Sequence, residues 1–307
     1  MTDTMELPVA EDLAGALLDL AVPHEDIAEL LRLRGRISAD TGLRRTLEST
    51  AVDLVRDMGR IGGGLELPRS EDLESTGGAL ARYFPVLVYV AALPAVRAYH
   101  RERAVPDGVS RRTLADLGRH MALHRRRRGT GGLPVPGWLA LHFRGELYQL
   151  GRLQFQRCRL REPIGAAVRA DGLPYGPGDY ALGLHIPDFL GPLTPGACDR
   201  SLVRAREFFS RCYPEEPYGV AECHSWLLDP QLTRYLPEHS NIRGFQDRFR
   251  IRSDKTRVAD GEPVEFVFGD PRLPLESLPR RTTLERAIVD HLRAGGHWYG
   301  GHGWFRL

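Results

Sequence analysis

The sequence predicts an α+β protein in which a helical part precedes a mixed β-sheet. Three features support this fold class. Apolar residues recur at intervals of three and four through most of the chain up to Arg128, as on one face of a helix. The stretch Gly129–Gly137, rich in glycine and proline, then interrupts this pattern. The segments that follow are short and apolar, as strands are. We therefore expect two domains, 1–131 and 132–307.

The helices of the first part are predicted from apolar spacing. Two short helices are expected on either side of Pro23, because proline interrupts a helix. A third is expected to follow Ser38 as its N-cap. The segment Leu80–Tyr99 is apolar on nearly all sides and is placed at the centre of the bundle. A last helix is expected to begin at Ser110 and end at Arg128.

The second part is predicted to contain more strands than helices. Trp138–Phe143 and Glu146–Leu160 are expected to form a hairpin, and Tyr180–Pro187 a third strand. A helix is expected from Asp199, and the strand Tyr218–Leu228 after it.

The later elements are predicted in the same way. They are one or two helical turns over Asp229–Tyr235, strands at Ile242–Ile251 and Val264–Phe268, and a helix that opens with a capping box of Thr282 and Glu285. A doubly wound nucleotide-binding fold would need regular alternation and a glycine-rich first turn, which the sequence lacks.

The composition of the 307 residues excludes several classes of protein. Hydrophobic residues make up 42% and charged residues 27%, so the chain can bury a core and is not compositionally disordered. The formal net charge is +2, from 42 basic and 40 acidic residues, which leaves no overall field to attract nucleic acid or anionic lipid. Lys255 is the only lysine among the basic residues. A nucleic-acid partner or a membrane is not expected.

The cysteines and the start of the chain indicate a cytoplasmic protein. The four cysteines form no CxxC pair, and the start Met1–Gly15 is acidic, unlike a signal or transit peptide. The most apolar run, Tyr83–Ala95, contains two prolines and is too short to cross a bilayer. We expect a cytoplasmic location and reduced thiols.

Three stretches of the second part resemble a known family. They read HIPDFLGPLTPGACDRSL over His185–Leu202, CHSWLLDPQL over Cys223–Leu232 and SNIRGFQDRF over Ser240–Phe249. With the order of elements, they resemble bacterial two-domain acyltransferases, in which a helical acyltransferase N-terminal domain precedes a GNAT-like C-terminal domain. The resemblance implies an acyl-CoA-dependent N-acyltransferase. Its donor would be acetyl-CoA or a longer acyl-CoA, and its acceptor a small-molecule or peptide amine that attacks directly in a ternary complex.

The resemblance also implies where the coenzyme binds. GNAT-like folds hold its pyrophosphate at the N-terminus of the helix after a splayed strand, where free N–H groups and the helix dipole favour an anion. Tyr180–Pro187 and the helix from Asp199 occupy these two places. The family usually has an arginine or glutamine and spaced glycines at this turn, and this chain does not. Asp199 is also expected to cap the helix, in competition with a phosphate. The predicted cofactor-binding residues are Ile186, Leu193, Cys198, Asp199, Arg200 and Ser201.

Three side chains are candidates for proton transfer. His185, at the end of its strand, has the titration range of a base that deprotonates an ammonium, although a structural histidine is the alternative. Glu222 and His224 share a strand face and could form an acid–base pair, in which Glu222 is a second candidate base, although both residues could instead lie on a solvated face. By the resemblance, Tyr235 would protonate the leaving thiolate, and an interfacial tyrosine is the alternative.

Other clusters have simpler interpretations. Cys223 could carry an acyl group, but core packing is favoured. Ser225 lacks a GxSxG elbow, which excludes a serine hydrolase. The run His124–Arg128 could receive the 3′-phosphate of the coenzyme, an acyl carrier protein or nucleic acid, but a solvated helix end is favoured. The aromatic and glycine-rich segment His297–Phe305 indicates a closing strand, and no metal is expected. The rival hypothesis for the whole chain is a non-catalytic GNAT-like binding or regulatory module.

Overall fold

The computed structural model describes residues 5–68, 73 and 78–307, with the backbone alone for 253–256. The acidic start of the chain lies partly outside these residues. The chain divides into two compact units, Met1–Tyr148 and Gln149–Leu307. This division comes later than the glycine- and proline-rich stretch, where the sequence analysis places the boundary. The reason is that Leu139 and Phe143, which follow that stretch, are buried in the core of the first unit.

The first unit is helical and is built around one long apolar helix. Its helices are α1 (Ala10–Asp19), α2 (His24–Ala39), α3 (Thr41–Arg56), α4 (Gly78–Glu102), α5 (Asp107–Leu114), α6 (Asp116–Arg128) and α7 (Pro136–Phe143). Helix α4 contacts α1, α2, α3 and α7. By length and composition it could cross a membrane, but 72% of its most apolar window is buried inside the structure. It is the core helix that its all-round apolar character predicts.

Two predicted helix starts in this unit are wrong. Ser38 lies in the last turn of α2, and Asp40 caps α3 instead, with one carboxylate oxygen accepting from the N–H groups of Gly42 at 2.8 Å and Leu43 at 3.0 Å. Ser110 lies inside α5, where its hydroxyl is 2.7 Å from Nδ1 of His100. Each serine has a cap-forming side chain, but the backbone groups it would cap are already bonded within a helix.

The second unit contains most of a six-stranded mixed sheet with flanking helices. Its elements are β1 (Leu147–Leu150, which begins in the first unit), β2 (Leu153–Arg159), α8 (Ile164–Ala170), β3 (Tyr180–His185), α9 (Pro195–Cys212), β4 (Val220–Ser225), α10 (Asn241–Gln246), β5 (Arg250–Val258), α11 (Gly261–Phe268), α12 (Thr283–Arg293) and β6 (Tyr299–Arg306). Short 3₁₀ turns lie at Trp226–Leu228, Pro230–Arg234 and Leu275–Ser277. The strand order is β1-β2-β3-β4-β6-β5. The predicted α+β class is confirmed.

The pairing of the strands is uneven. Strands β2 and β3 pair antiparallel from Gln154, opposite His185, to the other end of β3, and β4 pairs antiparallel with β6 along its whole length. Strands β3 and β4 are parallel, and their register contains Leu182 opposite Ala221 and Gly183 opposite Glu222. This short parallel ladder joins the two halves of the sheet.

Three predicted strands are wrong, and two of them, Trp138–Phe143 and Val264–Phe268, are short and mostly apolar runs. Trp138–Phe143 lies in α7 and Val264–Phe268 is the end of α11, whereas Ile242–Ile251 covers most of α10, a turn and the start of β5. Periodicity alone does not separate such runs into strand and helix. Helix signals were present, because Pro136 occupies the first turn of α7 and Ser240 caps α10 through the N–H of Arg243 at 3.3 Å. The capping box of Thr282 and Glu285 at the start of α12 is confirmed.

Candidate active site

Strands β3 and β4 separate at their carboxyl ends and enclose a cavity. Their register stops at Gly183 and Glu222, although β3 continues to His185 and β4 to Ser225. A cavity of about 190 Å³ occupies this gap. Beyond the ladder, backbone N–H and C=O groups on the facing strand edges can bond to a ligand, because the strands do not bond to each other there. Its walls include His185, Ile186, Cys223, His224, Glu262 and Phe266.

His185 lies at the cavity with its imidazole oriented by a neighbouring strand. It is half-buried, and its Nε2 donates to the side-chain oxygen of Gln156 on β2 at 2.9 Å. Because an amide oxygen only accepts, Nε2 carries the proton in the neutral ring and Nδ1 is the basic nitrogen. The structure therefore places this predicted base where the strands open.

Glu222 has a different partner from the predicted one. Its carboxylate accepts from Nε2 of His302 on β6 at 2.9 Å and from the thiol of Cys158 on β2 at 3.4 Å. His302 lies opposite His224 in the β4–β6 register, so it is a diagonal neighbour of Glu222 and within its reach. The predicted pair of Glu222 with His224 is therefore wrong, and Glu222 is not among the residues that line the cavity.

Tyr235 is engaged away from the cavity. Its hydroxyl lies 2.8 Å from Nδ1 of His291 on α12. Nε2 of His291 donates to the carbonyl of His297 at 3.1 Å, so Nδ1 is the acceptor of the neutral ring and the phenol donates to it. Tyr235 does not line the cavity. Its hydroxyl proton, which the resemblance assigns to the leaving thiolate, is donated to Nδ1 of His291 instead.

The thiols near the site are protonated at neutral pH. Burial raises the pKa of Cys223, on the cavity wall, to about 12. Burial, reinforced by Glu222, also raises the pKa of Cys158 well above its usual range. Neither cysteine has the lowered pKa that a nucleophilic thiolate requires.

The N-terminus of α9 forms a second part of the site. Thr194 caps the helix and accepts from the N–H of Ala197 at 3.3 Å, and Pro195 follows it. The prediction that Asp199 caps this helix is wrong, because the helix begins before it. Asp199 is exposed and accepts from Arg248 at 2.6 Å.

Two arginines lie beside this helix terminus. Arg248 also donates to the carbonyl of Pro195 at 3.2 Å, and Arg152 donates to the carbonyl of Gly191 at 2.8 Å. Nε of Arg248 and Nη1 of Arg152 are buried without a hydrogen-bond partner among the described residues. A helix N-terminus with two under-bonded guanidinium groups suits a phosphate. Sequence reasoning missed both arginines, although Arg248 lies in the stretch Ser240–Phe249 that carries the resemblance.

The other predicted cofactor residues have mixed positions. Ile186 lines the cavity, Leu193 and Cys198 are buried, and Arg200 is exposed. Ser201 is fully buried. Its hydroxyl accepts from the N–H of Arg152 at 2.8 Å and donates to the carbonyl of Ala197 at 2.9 Å, so it joins the β1–β2 turn to α9. A structural role accounts for its hydrogen bonds.

Comparisons with known proteins agree with this geometry. Residues 11–145 match the family described as N-acyltransferase N-terminal domain, and residues 147–305 match the GNAT-like C-terminal domain. A comparison with curated protein sequences found no match.

Several solved structures are similar over nearly the whole chain. A crystal structure of an acyltransferase in complex with decanoyl-CoA and teicoplanin is 40% identical, with a TM-score of 0.84, over 100% of this chain and 91% of that one. An acyltransferase variant in complex with octanoyl-CoA is 39% identical, with a TM-score of 0.86, over the same shares of the two chains. An acyltransferase in complex with CoA and 10C-teicoplanin is 39% identical, with a TM-score of 0.81, over 99% and 93%. The chain therefore belongs to the family of acyltransferases formed by an N-acyltransferase N-terminal domain and a GNAT-like C-terminal domain.

Proposed function

We propose that this acyltransferase moves a medium-chain acyl group, such as octanoyl or decanoyl, from acyl-CoA to an amine of teicoplanin or a closely related small molecule. The similar structures hold octanoyl-CoA, decanoyl-CoA or CoA, and two of them hold teicoplanin or 10C-teicoplanin. At about 40% identity over the whole chain, these ligands are the best guide to the donor and acceptor. The free cysteines suit the reducing cytoplasm, where we propose that the reaction takes place.

The observation that carries the proposal is the gap between β3 and β4. A thioester that enters the gap can bond to strand edges that no longer bond to each other. A backbone N–H there polarises the thioester carbonyl and stabilises the oxyanion that forms when an amine attacks. The phosphates of the coenzyme are then held at the N-terminus of α9 by Arg152 and Arg248.

The proposed mechanism is direct attack in a ternary complex. The acceptor ammonium gives a proton to Nδ1 of His185, and the free amine attacks the thioester carbon. The nitrogen of the tetrahedral intermediate loses its second proton to solvent, and the intermediate collapses to an amide as the carbon–sulfur bond breaks. The CoA thiolate then takes up a proton, for which the imidazolium of His185 is the source, so the base is regenerated. An acyl-enzyme on Cys223 is not part of this route, because its raised pKa keeps the thiol protonated.

Incubation of the purified protein with decanoyl-CoA and teicoplanin tests the proposal. Mass spectrometry should show teicoplanin heavier by one decanoyl group, with release of one CoA per product. Octanoyl-CoA should replace decanoyl-CoA with a similar rate, and acetyl-CoA is the comparison for chain length. CoA should also raise the melting temperature more than NAD or ATP does, since a ligand that binds only the folded state stabilises it.

Two results would contradict the proposal. One is equal or absent stabilisation by CoA, NAD and ATP at saturating concentrations. The other is release of CoA at the same rate with and without teicoplanin and with no acylated product, which would indicate a thioester hydrolase.

A further inference from the structure

Glu262 is the acidic side chain on the cavity wall, and the proposed mechanism does not use it. It lies in the first turn of α11, and the side chains of that helix approach the mouth of the gap between β3 and β4. The other titratable groups on this wall are His185 from β3 and His224 and Cys223 from β4. The cavity therefore combines two imidazoles with one carboxylate.

The neighbouring carboxylates each bond to the protein, whereas Glu262 has no partner among the side chains that the structure describes. Asp260 accepts from the N–H of Trp298 at 2.7 Å and bonds to His297 at 2.8 Å. Asp229 accepts from the N–H groups of Gln231 and Tyr299, and Glu222 is held by His302. Within the described part of the chain, the side chain of Glu262 makes no hydrogen bond or ion pair. A half-buried carboxylate at a cavity and without a protein partner is suited to a cationic ligand.

The acceptor brings such a cation. An aliphatic amine is an ammonium near neutral pH, and it loses part of its hydration when it approaches a thioester inside the sheet. Phe266, one turn along α11, packs edge-on against Trp226 at 5.9 Å between ring centroids, and both rings line the same wall. Next to apolar rings, a carboxylate interacts more strongly with an ammonium than it would in open water.

Resting on the function proposed above, we propose that Glu262 binds the ammonium form of the acceptor at the mouth of the cavity and positions it for deprotonation by His185. The carboxylate recognises the charge of the amine and takes no part in forming or breaking a covalent bond. It is thus a specificity residue for cationic amine acceptors. In the proposed function the phosphates of the coenzyme are held at the N-terminus of α9, away from Glu262, so Glu262 should have little effect on donor binding.

Glu262→Gln, compared with Glu265→Gln, tests this role. Glu265 lies on the same helix, is exposed and does not line the cavity, so the second variant matches the first in charge, side chain and helix. Teicoplanin is the probe. Its binding in the presence of CoA is measured by calorimetry, and its acylation is measured by kinetics with decanoyl-CoA.

At about pH 6.5, Glu262→Gln should raise the Kd and KM for teicoplanin about tenfold, which is typical of one hydrogen bond to a charged group. At about pH 9.5 the difference should shrink, because more of the amine is neutral. The KM for decanoyl-CoA should stay within about twofold of the parent value, since the phosphate contacts are unchanged.

The outcomes separate this inference from the function on which it rests. The inference is overturned if Glu262→Gln binds teicoplanin like the parent, if Glu265→Gln weakens binding equally, or if the defect is the same at both pH values. Binding that depends on Glu262 without turnover would support the inference and contradict the proposed transferase reaction. Turnover with no effect of Glu262 would do the reverse. A parent protein that binds no teicoplanin would overturn both.

Discussion

The proposed role of His185 depends on a hydrogen bond that the sequence does not show. The histidine itself could be predicted, because it ends a strand just where the resemblance places the opening of the sheet. Its orientation comes from Gln156, which lies one strand away and 29 positions earlier. The predicted partner of Glu222 was wrong for the same reason. Because side chains alternate between the two faces of a strand, the sequence predicted His224 as the partner of Glu222. The actual partner, His302, comes from β6, and only the strand register identifies it.

At this scale we predict that His185→Ala lowers kcat/KM about a hundredfold, because general-base catalysis is worth about that much. Glu222→Gln should have a smaller effect, since Glu222 does not line the cavity. The kcat/KM of the parent should rise with pH through an apparent pKa that the base and the acceptor amine share, and this rise should be altered in His185→Ala.

The controls for this comparison are folding and donor binding. Both variants must show the circular dichroism and CoA affinity of the parent, because loss of a buried hydrogen bond could also reduce activity. If a folded His185→Ala keeps parental turnover while Glu222→Gln loses it, the base is Glu222 with His302, and the assignment to His185 is wrong.

At the scale of elements, the strand–turn–helix unit formed by β3 and α9 could be predicted from the sequence, but the residue at which α9 begins could not. The apolar face of α9, with Leu202, Ala205, Phe208 and Phe209, is buried as expected. The cap was placed too late, because Asp199 is a strong N-cap type, whereas Thr194 followed by Pro195 is the combination that begins the helix. An earlier start moves Asp199 onto the exposed surface of α9 and leaves Arg152 and Arg248 as the proposed phosphate donors.

Arg248→Gln should therefore weaken CoA binding about tenfold and leave kcat nearly unchanged, since one charge-assisted contact to a phosphate is lost. Arg211→Gln, an exposed change of the same kind in the last turn of α9, should leave the affinity unaltered. Calorimetric titration with CoA measures both. Stability should change little, because the pair of Arg248 with the exposed Asp199 lies at the surface. Equal affinity of Arg248→Gln and the parent would place the phosphates elsewhere.

At the scale of the whole molecule, the spacing of apolar residues changes along the chain, and this change predicts that a helical part comes first and a mixed sheet follows. The exact division did not follow, because a glycine- and proline-rich stretch marks a break in the chain and not which core the next helix joins. Helix α7 shows this, since it follows the break yet contributes Leu139 and Phe143 to the first core. The resemblance implied that the sheet opens near His185, but the lining of the cavity could not be predicted, because Glu262 and Phe266 come from a distant helix and no local pattern brings them to the opening.

The pH dependence of stability belongs to this scale as well. His100 on α4 is 2% exposed, and burial lowers its pKa to about 4. In the unfolded chain a histidine has a pKa of about 6.5, so the unfolded state takes up the proton first as the pH falls. The free energy of unfolding of the first unit should therefore fall by up to about 3 kcal/mol between about pH 6.5 and about pH 4.

Urea unfolding at several pH values in this window measures that slope. His100→Gln should lower by about one the number of protons that the protein takes up on unfolding in this pH window, whatever its effect on stability at neutral pH. His239→Gln, at an exposed position, should keep the parental slope. A parental slope in His100→Gln would assign the titration to another group.

The strand order has a consequence for how the sheet assembles during synthesis. Strand β6 comes latest of the six along the chain, yet it lies between β4 and β5. Strands β1, β2 and β3 follow one another closely and can pair as soon as they leave the ribosome, and β4 can then add its short parallel ladder to β3. Strand β5 must wait for β6, which is made after it and is also the partner of β4 along its whole length. The β4 side of the proposed catalytic gap is therefore paired along its whole length only after β6 is made. A nascent chain would be unable to hold a reactive thioester until this final strand has been inserted.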